Sequence, residues 1–566
     1  MGQPTCGAIA AGHPKTVAAG EEMLRLGGNA FDAVAAAMAA SFVTEPGLTS
    51  AAGGGFLLAH APNAANGHPT TLFDFFTQTP QYKRQADVDF YPIDVDFGSV
   101  TQQFHIGLGA MAVPGSLAGL CHVHQKFGRL PLKEVFQPAI QFARDGVEVN
   151  AFQAYCFDIL GPILLRSEEF KAMLMPNGQG AQVGDRVFMP TLAQTLSDIA
   201  VKGADYLYKG DIGRQLVQDC QERGGHITMG DLETYQVIAR SPLALNYRGK
   251  TLLTNPPPSS GGTLIAFALE LLRGVDFGAI AFRSLPHIQL LAKVMQLTNV
   301  ARKDGYDNHL YDPDIAQRFL SEDHYEDYED QLVDFLLEQT APGMELAGLE
   351  NGFEGVKSGI NAINKWGSTT HISVIDGEGN AASMTASNGE GSGYTIPGTG
   401  IMVNNMLGEA DLHPNGFHQW PENVRISSMM APTIILDEQR QPEIVLGSGG
   451  SNRIRTAILQ VLSNLVDFKM PIDQAVNSPR IHWENDIFSL EPSLNSGCSE
   501  ELKPEDISAE VEAQQFPFDG TVDKWDASNM FFGGVHAVAK TAEQSGTDGF
   551  DGSGDRRRGG TVSIHL

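Results

Sequence analysis

The sequence is poor in cysteine and in positive charge. It has five cysteines in 566 residues, widely spaced and without a CxxC pair, which argues against a disulfide framework and against a zinc site. Lys and Arg number 38 against 67 Asp and Glu, so the formal net charge is -29. A field of this sign repels nucleic acid and anionic membrane surfaces, so neither is expected as a partner.

Long hydrophobic runs are also missing. Residues 1–14 contain no basic segment followed by an apolar one, so they do not resemble a secretory leader. The longest apolar run, residues 33–43, is too short to span a bilayer. With 42% hydrophobic and 19% charged residues, the composition is typical of a globular protein with a large layered core. The sequence as written predicts a cytoplasmic location.

Three segments carry patterns of buried helices. Residues 16–26 and 29–43 are rich in Ala, Leu and Met, and residues 286–301 begin with a proline at a position that a helix tolerates. Gly-rich segments between such helices, for example residues 53–55, lead into short apolar runs that predict strands. The mixture predicts a layered α/β fold.

A hairpin pattern in the last third of the chain carries the first chemical signal. Residues 369–376 and 381–387 alternate along each segment, and turn-forming residues lie between them. If the chain folds back about Glu378, Thr369 lies opposite Ser387. Because successive side chains of a strand point to opposite faces, one face carries Thr, His and Ser, and the other is mostly apolar.

Periodicity alone leaves two interpretations of this hairpin. In the first, it is half exposed and its hydroxyl-rich face is wet, since Thr is a common β-former. The second starts from the polar, Gly-rich residues 350–365, which indicate a linker before the strand. A cut between Ser368 and Thr369 would create an α-amino group, with a pKa of roughly 7.7–8.0, beside the Thr369 hydroxyl. A threonine activated by its own amine is a nucleophile.

Residues 369–376, TTHISVID, resemble the start of the small subunit of γ-glutamyltransferases. These enzymes are N-terminal nucleophile hydrolases and are also called glutathione hydrolases. Further motifs similar to those of the family follow in the family's order over nearly the whole chain. They are GGNAFDA (27–33), GGGF (53–56), AVPGSLAGL (112–120), QPAIQFARDG (137–146), PPPSSGG (256–262), GTGIMVNNML (398–407), GSGGS (447–451) and FGGVHAV (532–538).

The resemblance implies a four-layer αββα sandwich. It also implies a precursor that cleaves itself between Ser368 and Thr369 into a large subunit, residues 1–368, and a small subunit, residues 369–566, which stay together in one αββα unit. The implied substrates are a small-molecule γ-glutamyl donor, such as glutathione, and an acceptor that is water, an amino acid or a peptide. No metal and no organic cofactor are expected.

The resemblance further assigns catalytic roles. Thr369 is the expected nucleophile, with its own freed amine as the general base, and Ser387 is its hydroxyl partner. Gly449 and Gly450 match the pair whose backbone N–H groups form the oxyanion hole, where a side chain would obstruct the approach of the backbone. His371 lies on the same face of the hairpin, but we expect it to be structural.

The resemblance assigns the donor-binding residues in the same way, and the sequence departs from the pattern of the family at Met406 and at Phe76. Ser427 and Ser428 match the pair that binds the donor α-carboxylate. Glu409 is expected to accept the donor α-amino group, whereas Met406, in the neighbouring position, cannot. Asn388 is the candidate for the family's substrate-binding asparagine.

The strongest departure is at Phe76. Members of the family usually have an Arg in a D-x-R-E-x-A-P setting that pairs with the donor α-carboxylate, but residues 74–80 are DFFTQTP. Because a bidentate Arg–carboxylate contact is strong and directional, its loss needs compensation. Either Lys83, Arg84 or Arg425 supplies the cation, or the donor is not a plain γ-glutamyl compound.

Three functions therefore stay open. The first is a γ-glutamyl hydrolase or transferase. The second is an acylase or amidohydrolase of the same fold that acts on a glutaryl-type or small ω-amide, which the apolar Phe76 and Met406 favour. The third is an unprocessed, non-catalytic homologue. Near the C-terminus, residues 555–560 (DRRRGG) resemble a turn of the family, and we interpret them as a solvated turn before the last strand.

Overall fold

The computed structural model describes residues 3–63, 67, 69–96, 101–176, 178–340, 367–413, 415–492, 521–541 and 549–565. The linker predicted at residues 350–365 lies outside these residues. The described chain alternates between helices and strands along most of its length. No helix within the described ranges is both long enough and apolar enough to cross a membrane. The cytoplasmic location stays a prediction.

The strands form two large antiparallel sheets and several short ribbons. The first sheet has the order β22-β1-β11-β12-β2-β3-β8, and the second has the order β21-β20-β16-β15-β10-β9. The strands are β1 (Gly7–Ala11), β2 (Gly54–His60), β3 (Thr70–Phe75), β4 (Tyr91–Asp96), β5 (Thr101–Ile106), β6 (Val147–Glu148), β7 (Arg186–Val187), β8 (Ile238–Arg240), β9 (Leu243–Tyr247), β10 (Lys250–Thr254), β11 (Thr370–Asp376), β12 (Ala381–Ser387), β13 (Thr395–Ile396), β14 (Ile401–Met402), β15 (Thr433–Leu436), β16 (Pro442–Gly449), β17 (Ile481–Glu484), β18 (Ile487–Leu490), β19 (Thr521–Lys524), β20 (Gly534–Lys540), β21 (Phe550–Ser553) and β22 (Thr561–His565).

Helices cover the outer faces of both sheets. On the first sheet α1 and α2 pack against β1 and β11, and on the second α11 and α15 pack against β9 and β16. The helices are α1 (Pro14–Arg25), α2 (Ala30–Thr44), α3 (Ser116–Phe127), α4 (Leu132–Asp145), α5 (Ala151–Leu164), α6 (Glu168–Leu174), α7 (Pro190–Lys202), α8 (Asp205–Tyr208), α9 (Asp211–Arg223), α10 (Met229–Thr234), α11 (Gly261–Leu272), α12 (Leu285–Ala301), α13 (Ile315–Phe319), α14 (Glu322–Thr340), α15 (Arg453–Val466) and α16 (Ile472–Asn477).

The order of layers is therefore helix, sheet, sheet, helix, and the predicted αββα sandwich is confirmed. The predicted helices at 16–26, 29–43 and 286–301 correspond to α1, α2 and α12. Helix α2 begins sharply because Asn29 and Asp32 form a reciprocal capping box with the backbone. All its residues are buried, which its small alanine side chains permit between the sheet and neighbouring helices.

The predicted hairpin is formed by β11 and β12. His371 pairs with Thr385 and Ser373 with Ser383, which is the register predicted from the fold-back about Glu378. The turn is fixed by one carboxylate oxygen of Asp376, which accepts hydrogen bonds from two backbone N–H groups of the turn, at 2.9 and 3.0 Å. The alternation and the turn residues were thus sufficient to predict the pairing.

The half-exposed, wet interpretation of the hairpin is wrong, because every residue of both strands is buried. The hydroxyl face lies between the two sheets. There Ser373 donates to the His536 carbonyl at 3.0 Å, and Ser383 donates to the Leu446 carbonyl at 2.9 Å. The second sheet thus replaces water as the partner of these hydroxyl groups.

His371 is satisfied within this interface. Its Nδ1 lies 2.8 Å from the Thr385 hydroxyl and its Nε2 lies 2.9 Å from the Ser373 hydroxyl. Burial lowers its pKa well below the usual value, so the ring is neutral. These contacts agree with the structural role expected for it.

Candidate active site

The predicted cut lies at the entrance to β11, where Ser368 and Thr369 are both buried. The Ser387 hydroxyl donates a hydrogen bond to the Ser368 carbonyl oxygen at 2.6 Å. The same Ser387 oxygen accepts a hydrogen bond from the Gly389 backbone N–H at 3.0 Å, which leaves the hydroxyl proton for the carbonyl. A donor in this position polarises the Ser368 carbonyl and stabilises negative charge that develops on its oxygen.

Arg558 holds the same segment through hydrogen bonds to two backbone carbonyl groups. One guanidinium nitrogen donates to the Thr369 carbonyl and another to the Gly367 carbonyl, both at 3.1 Å. Burial lowers the pKa of Arg558 to about 10, so the side chain stays charged at neutral pH. Three consecutive residues around the predicted cut are therefore held through their carbonyl groups, by Arg558 and by Ser387.

The solvated interpretation of the turn that carries Arg558 is wrong. Asp555 is fully buried and pairs with Arg480 at 2.6 Å, and Arg557 pairs with Glu491 at 2.6 Å. Of the three consecutive arginines, Arg556 alone is exposed, with 78% of its side chain accessible. These ion pairs and hydrogen bonds offset the cost of desolvating the buried charges of the turn.

The glycines predicted for the oxyanion hole lie at the end of β16, where Gly449 is the last residue of the strand and Gly450 follows it. A Cβ on Gly449 would lie 2.1 Å from the Thr369 carbonyl oxygen, so only glycine permits this approach. Gly450 has a φ of +126°, a conformation that L side chains rarely adopt. Helix α15 starts directly afterwards, and its N-terminal N–H groups carry partial positive charge. The oxyanion role of Gly449 and Gly450 stays a prediction.

A cavity of about 70 Å³ lies in front of the predicted cut. It brings together most of the residues that the sequence analysis assigned to the donor. Asn388 is not among its described lining residues, and the Asn388 side-chain amide instead approaches the Met402 carbonyl at 3.5 Å. The predicted residues that line the cavity are Phe76, Ser368, Thr369, Ser387, Met406, Glu409, Ser427 and Ser428.

Phe76 is fully buried and closes one side of this cavity. Its ring stacks on Phe56 with centroids 5.4 Å apart. Its carbonyl oxygen accepts hydrogen bonds from Tyr235 and Arg425, both at 2.7 Å. Arg425 also contacts the buried Asp74 carboxylate at 3.3 Å. The guanidinium of Arg425 is therefore occupied behind Phe76 and does not line the cavity.

The other two cations suggested as substitutes also lie elsewhere. The Lys83 ammonium lies 4.7 Å from the centroid of the Trp420 ring. Arg84 donates to backbone carbonyls, including that of Gln221 at 3.0 Å. Neither residue is among the described residues that line the cavity.

Arg302 is the one Lys or Arg among the described lining residues. Helix α12 ends at Ala301 and passes into a π-helical turn, Arg302–Tyr306, and such turns are frequent at functional sites. The Arg302 guanidinium pairs with Asp307 at 2.9 Å, and 16% of its side chain is exposed. Sequence reasoning missed it because the helical pattern ends one residue earlier and no motif marks the turn.

The cavity is rich in carboxyl groups. Asp307, Glu390, Glu409 and Asp411 all line it, against the single cation Arg302. Burial and the neighbouring Glu409 raise the pKa of Glu390 well above its usual value. Glu390 was also missed, because an acid in the SNGEG segment is typical of a solvated turn.

Comparison with known proteins decides the family. Residues 16–565 match the family model described as Gamma-glutamyltranspeptidase. The chain belongs to this family. The resemblance that the motifs indicated is therefore confirmed over nearly the whole length of the chain.

Relatives of this γ-glutamyltranspeptidase family member carry two kinds of name. Acylase ACY 1 proenzyme of Pseudomonas sp. (strain V22) is 33% identical over 503 residues, 88% of this chain and 86% of the relative. Glutathione hydrolase proenzyme of Escherichia coli (strain K12) is 31% identical over 495 residues, 84% of this chain and 81% of the relative. Hydrolases and acylases that are named as proenzymes thus occur among its relatives.

A solved structure agrees with the fold. The crystal structure of cephalosporin acylase from Bacillus halodurans superposes with a TM-score of 0.76 and 21% sequence identity, covering 99% of this chain and 96% of that one. At this identity the likeness supports the shared architecture of the γ-glutamyltranspeptidase family and carries no conclusion about substrate.

Proposed function

We propose that this protein is a self-processing γ-glutamyl hydrolase or transferase that cleaves the γ-glutamyl amide bond of glutathione or related compounds through an acyl-Thr369 intermediate. The observation that carries the proposal is the 2.6 Å hydrogen bond from the Ser387 hydroxyl to the Ser368 carbonyl, at the edge of an acidic cavity. Family membership and the glutathione hydrolase relatives support it.

Self-cleavage starts from this contact. The Thr369 hydroxyl oxygen attacks the Ser368 carbonyl carbon, and the negative charge that forms on the carbonyl oxygen is stabilised by the Ser387 hydroxyl. The Ser368–Thr369 amide bond then breaks, its nitrogen takes up a proton, and the resulting ester on Thr369 is hydrolysed by water. The products are chains 1–368 and 369–566, and Thr369 gains a free α-amino group.

Turnover of the donor uses the hydroxyl group of Thr369 again. The α-amine of Thr369 takes the proton from the hydroxyl oxygen, which attacks the γ-carbonyl of the donor. The backbone N–H groups of Gly449 and Gly450 stabilise the oxyanion, a contribution of roughly 3–4 kcal/mol for such donors. The amine product leaves with a proton from the Thr369 ammonium. Water, an amino acid or a peptide amine then releases the acyl group from Thr369.

The charges of the cavity favour a γ-glutamyl donor over a glutaryl one. A γ-glutamyl group carries an ammonium and a carboxylate, whereas a glutaryl group carries the carboxylate alone. Apart from Glu390, the carboxyl groups of Asp307, Glu409 and Asp411 still outnumber Arg302, and this excess of acidic groups attracts the ammonium and repels an unaccompanied carboxylate. Ser427, Ser428 and Arg302 line the same cavity and are the partners that we propose for the carboxylate of the donor.

A panel of three p-nitroanilides tests the proposal on the fully cleaved enzyme. The γ-glutamyl compound has both charged groups, the glutaryl compound lacks the ammonium, and the 4-aminobutanoyl compound lacks the carboxylate. We expect kcat/KM for the γ-glutamyl compound to exceed that of each of the others by about a hundredfold or more. Glutaryl turnover that equals or exceeds it would favour the acylase alternative, and no turnover of the γ-glutamyl compound by cleaved enzyme would contradict the proposal. A chain that stays uncut on a denaturing gel would favour the unprocessed, non-catalytic alternative.

Arg302→Gln is expected to weaken the hold on the donor carboxylate. KM for the γ-glutamyl anilide should rise by about tenfold with a smaller change in kcat, because a charge-assisted hydrogen bond is lost. KM for the 4-aminobutanoyl anilide should change little, since that donor has no carboxylate. Steady-state kinetics on both donors measure the difference, with the exposed Arg144→Gln as the matched control. An equal rise in KM for both donors would show that Arg302 supports the structure of the cavity and does not bind the donor carboxylate.

A further inference from the structure

Asn452 lines the cavity in front of the predicted cut and has no role in the mechanism given above. It lies two residues after Gly450, at the start of α15, and 7% of its surface is exposed. An asparagine at this position of a helix usually accepts hydrogen bonds from the first backbone N–H groups through its side-chain oxygen. Here the side chain makes no such bond. The carbonyls of Gly450 and Ser451 accept the first two N–H groups of the helix instead, at 3.0 and 3.1 Å.

Glu484 fixes the orientation of the Asn452 side-chain amide. The amide nitrogen, Nδ2, donates a hydrogen bond to Glu484 Oε1 at 2.9 Å. Burial opposes ionisation of Glu484, but His482, 3.2 Å from its other carboxylate oxygen, and nearby guanidinium groups lower its pKa well below the usual value. An ionised carboxylate group only accepts hydrogen bonds. The nitrogen of the amide must therefore face Glu484, and the amide oxygen must lie on the opposite side.

This amide oxygen, Oδ1, is buried and has no hydrogen-bond partner among the residues that the structure describes. Buried acceptors without a partner are costly and rare in folded proteins. They mark places where water or a bound molecule completes the hydrogen bonding. Because Asn452 lines the cavity, an N–H donor of a molecule bound there is the natural partner for Oδ1.

The charges around Asn452 indicate which N–H donor this is. The Asn452 amide and the Arg302 guanidinium both approach Glu484 Oε1, at 2.9 and 4.0 Å. The adjacent Ser451 hydroxyl donates to the Asp411 carboxylate at 3.0 Å. A neutral acceptor near two carboxylates suits a cationic donor. Since the ammonium and the carboxylate of an α-amino acid are attached to the same carbon, a partner of the ammonium is expected close to the partner of the carboxylate, Arg302.

The sequence also leaves the ammonium short of acceptors. An ammonium group has three N–H donors, and Glu409 is one predicted acceptor. Met406 lines the same cavity and is buried, but it offers a thioether sulfur, which accepts only weakly. Asn452 Oδ1 is a strong acceptor on another side of the cavity.

We propose that Asn452 determines specificity for the donor by accepting a hydrogen bond from its α-ammonium group, in place of the acceptor that is missing at Met406. Arg302 and Asn452 then bind the two charged groups of the donor, and Glu484 is the positioning residue that orients the amide. The inference rests on the proposed function, because it presupposes a γ-glutamyl donor. The contact makes and breaks no covalent bond, and the ammonium keeps its three protons.

The three p-nitroanilides test this contact on cleaved Asn452→Leu. KM for the γ-glutamyl and the 4-aminobutanoyl compounds should rise by about tenfold with a smaller change in kcat, because both carry the ammonium. KM for the glutaryl compound should change little, since it has no ammonium. Arg302→Gln should give the complementary result, in which the 4-aminobutanoyl compound is spared. The exposed Asn246→Leu is the matched control.

Asn452→Ser separates binding of the donor from folding. Serine is among the preferred residues at the start of a helix, but its side chain is too short to hold an acceptor at the position of Oδ1. This variant should unfold at the wild-type temperature or above and still show the selective rise in KM. If Asn452→Leu does not fold, the donor panel on Asn452→Ser decides alone.

An equal rise in KM for all three donors would overturn the proposal, because it would place Asn452 at the amine that leaves or in the support of the cavity. No rise for any donor would also overturn it, and would leave Oδ1 to a water molecule. A cleaved wild type that fails to turn over the γ-glutamyl compound, or that prefers the glutaryl one, would instead contradict the proposed function itself. The wild-type panel therefore distinguishes the two failures.

Discussion

Thr369→Ala is expected to leave the precursor as a single chain and to abolish turnover of the γ-glutamyl anilide. The variant lacks the hydroxyl oxygen that attacks the Ser368 carbonyl in self-cleavage and the donor carbonyl in turnover. Because no described neighbour offers a second hydroxyl group with a free amine, we expect a loss in kcat/KM of about four orders of magnitude or more. Denaturing gels and the anilide assay measure the two effects separately.

Thr369→Ser is the matched control for this experiment. It keeps the hydroxyl group and loses one methyl group, so two chains of 368 and 198 residues should still appear, more slowly, together with measurable turnover. A cut at the same bond in Thr369→Ala would show that a protease of the host, and not the chain itself, makes the cleavage. Full-rate turnover by an uncut chain would contradict the role of the freed amine.

Arg558→Met is expected to slow self-cleavage by about a hundredfold. The guanidinium donates to the carbonyls of Gly367 and Thr369, on both sides of the bond that is cut, and so keeps the Ser368 carbonyl in line with the Ser387 hydroxyl. Methionine retains the bulk of the side chain but none of its donors. The loss corresponds to about 2.7 kcal/mol, within the range of about 1.5–3 kcal/mol for one hydrogen bond to a charged group.

Two further variants separate the effect of the lost Arg558 hydrogen bonds on self-cleavage from an effect on the stability of the folded protein. The charges of Asp555 and Glu45 act on Arg558, and removal of one partner of a buried charged group costs about 3–5 kcal/mol. Arg558→Lys keeps the charge but cannot reach both carbonyls as a planar fork does, so it should fold normally and still cut slowly. Arg556→Met, in the exposed position of the same turn, should behave like the wild type. Wild-type cutting by Arg558→Lys would show that charge alone suffices.

Sequence patterns predicted the hairpin because its information is local. Alternation fixes which side chains share a face, and the turn residues fix the register, so the approach of Ser387 to the cut followed from counting along the chain. The local sequence does not determine which other strands pack against a face of the hairpin. The burial of the hydroxyl face depends on β16 and β20, which come more than 60 residues after β12 begins.

The role of Arg558 was missed because its partners are distant in the chain. Arg558 lies 189 residues from Thr369, and the RRR run in which it occurs is typical of an exposed turn until Asp555, Glu491 and the cut segment are placed around it. Arg302 was missed because it follows directly after the end of a helix and no sequence motif marks its position. The loss of the expected Arg at Phe76 was visible in the sequence, but the cation that lines the same cavity was not.

The strand order of the first sheet has a consequence for the two chains that the proposed cut would create. Strands β22, β11 and β12 belong to residues 369–566, and they alternate with β1, β2, β3 and β8 from residues 1–368 in the order β22-β1-β11-β12-β2-β3-β8. Releasing either product would break four backbone ladders. Three are in the first sheet, β22 with β1, β1 with β11 and β12 with β2, and one is in the second sheet, β10 with β15. If the chain is cut as proposed, we expect that dilution does not dissociate the two products and that exchange of either one requires global unfolding.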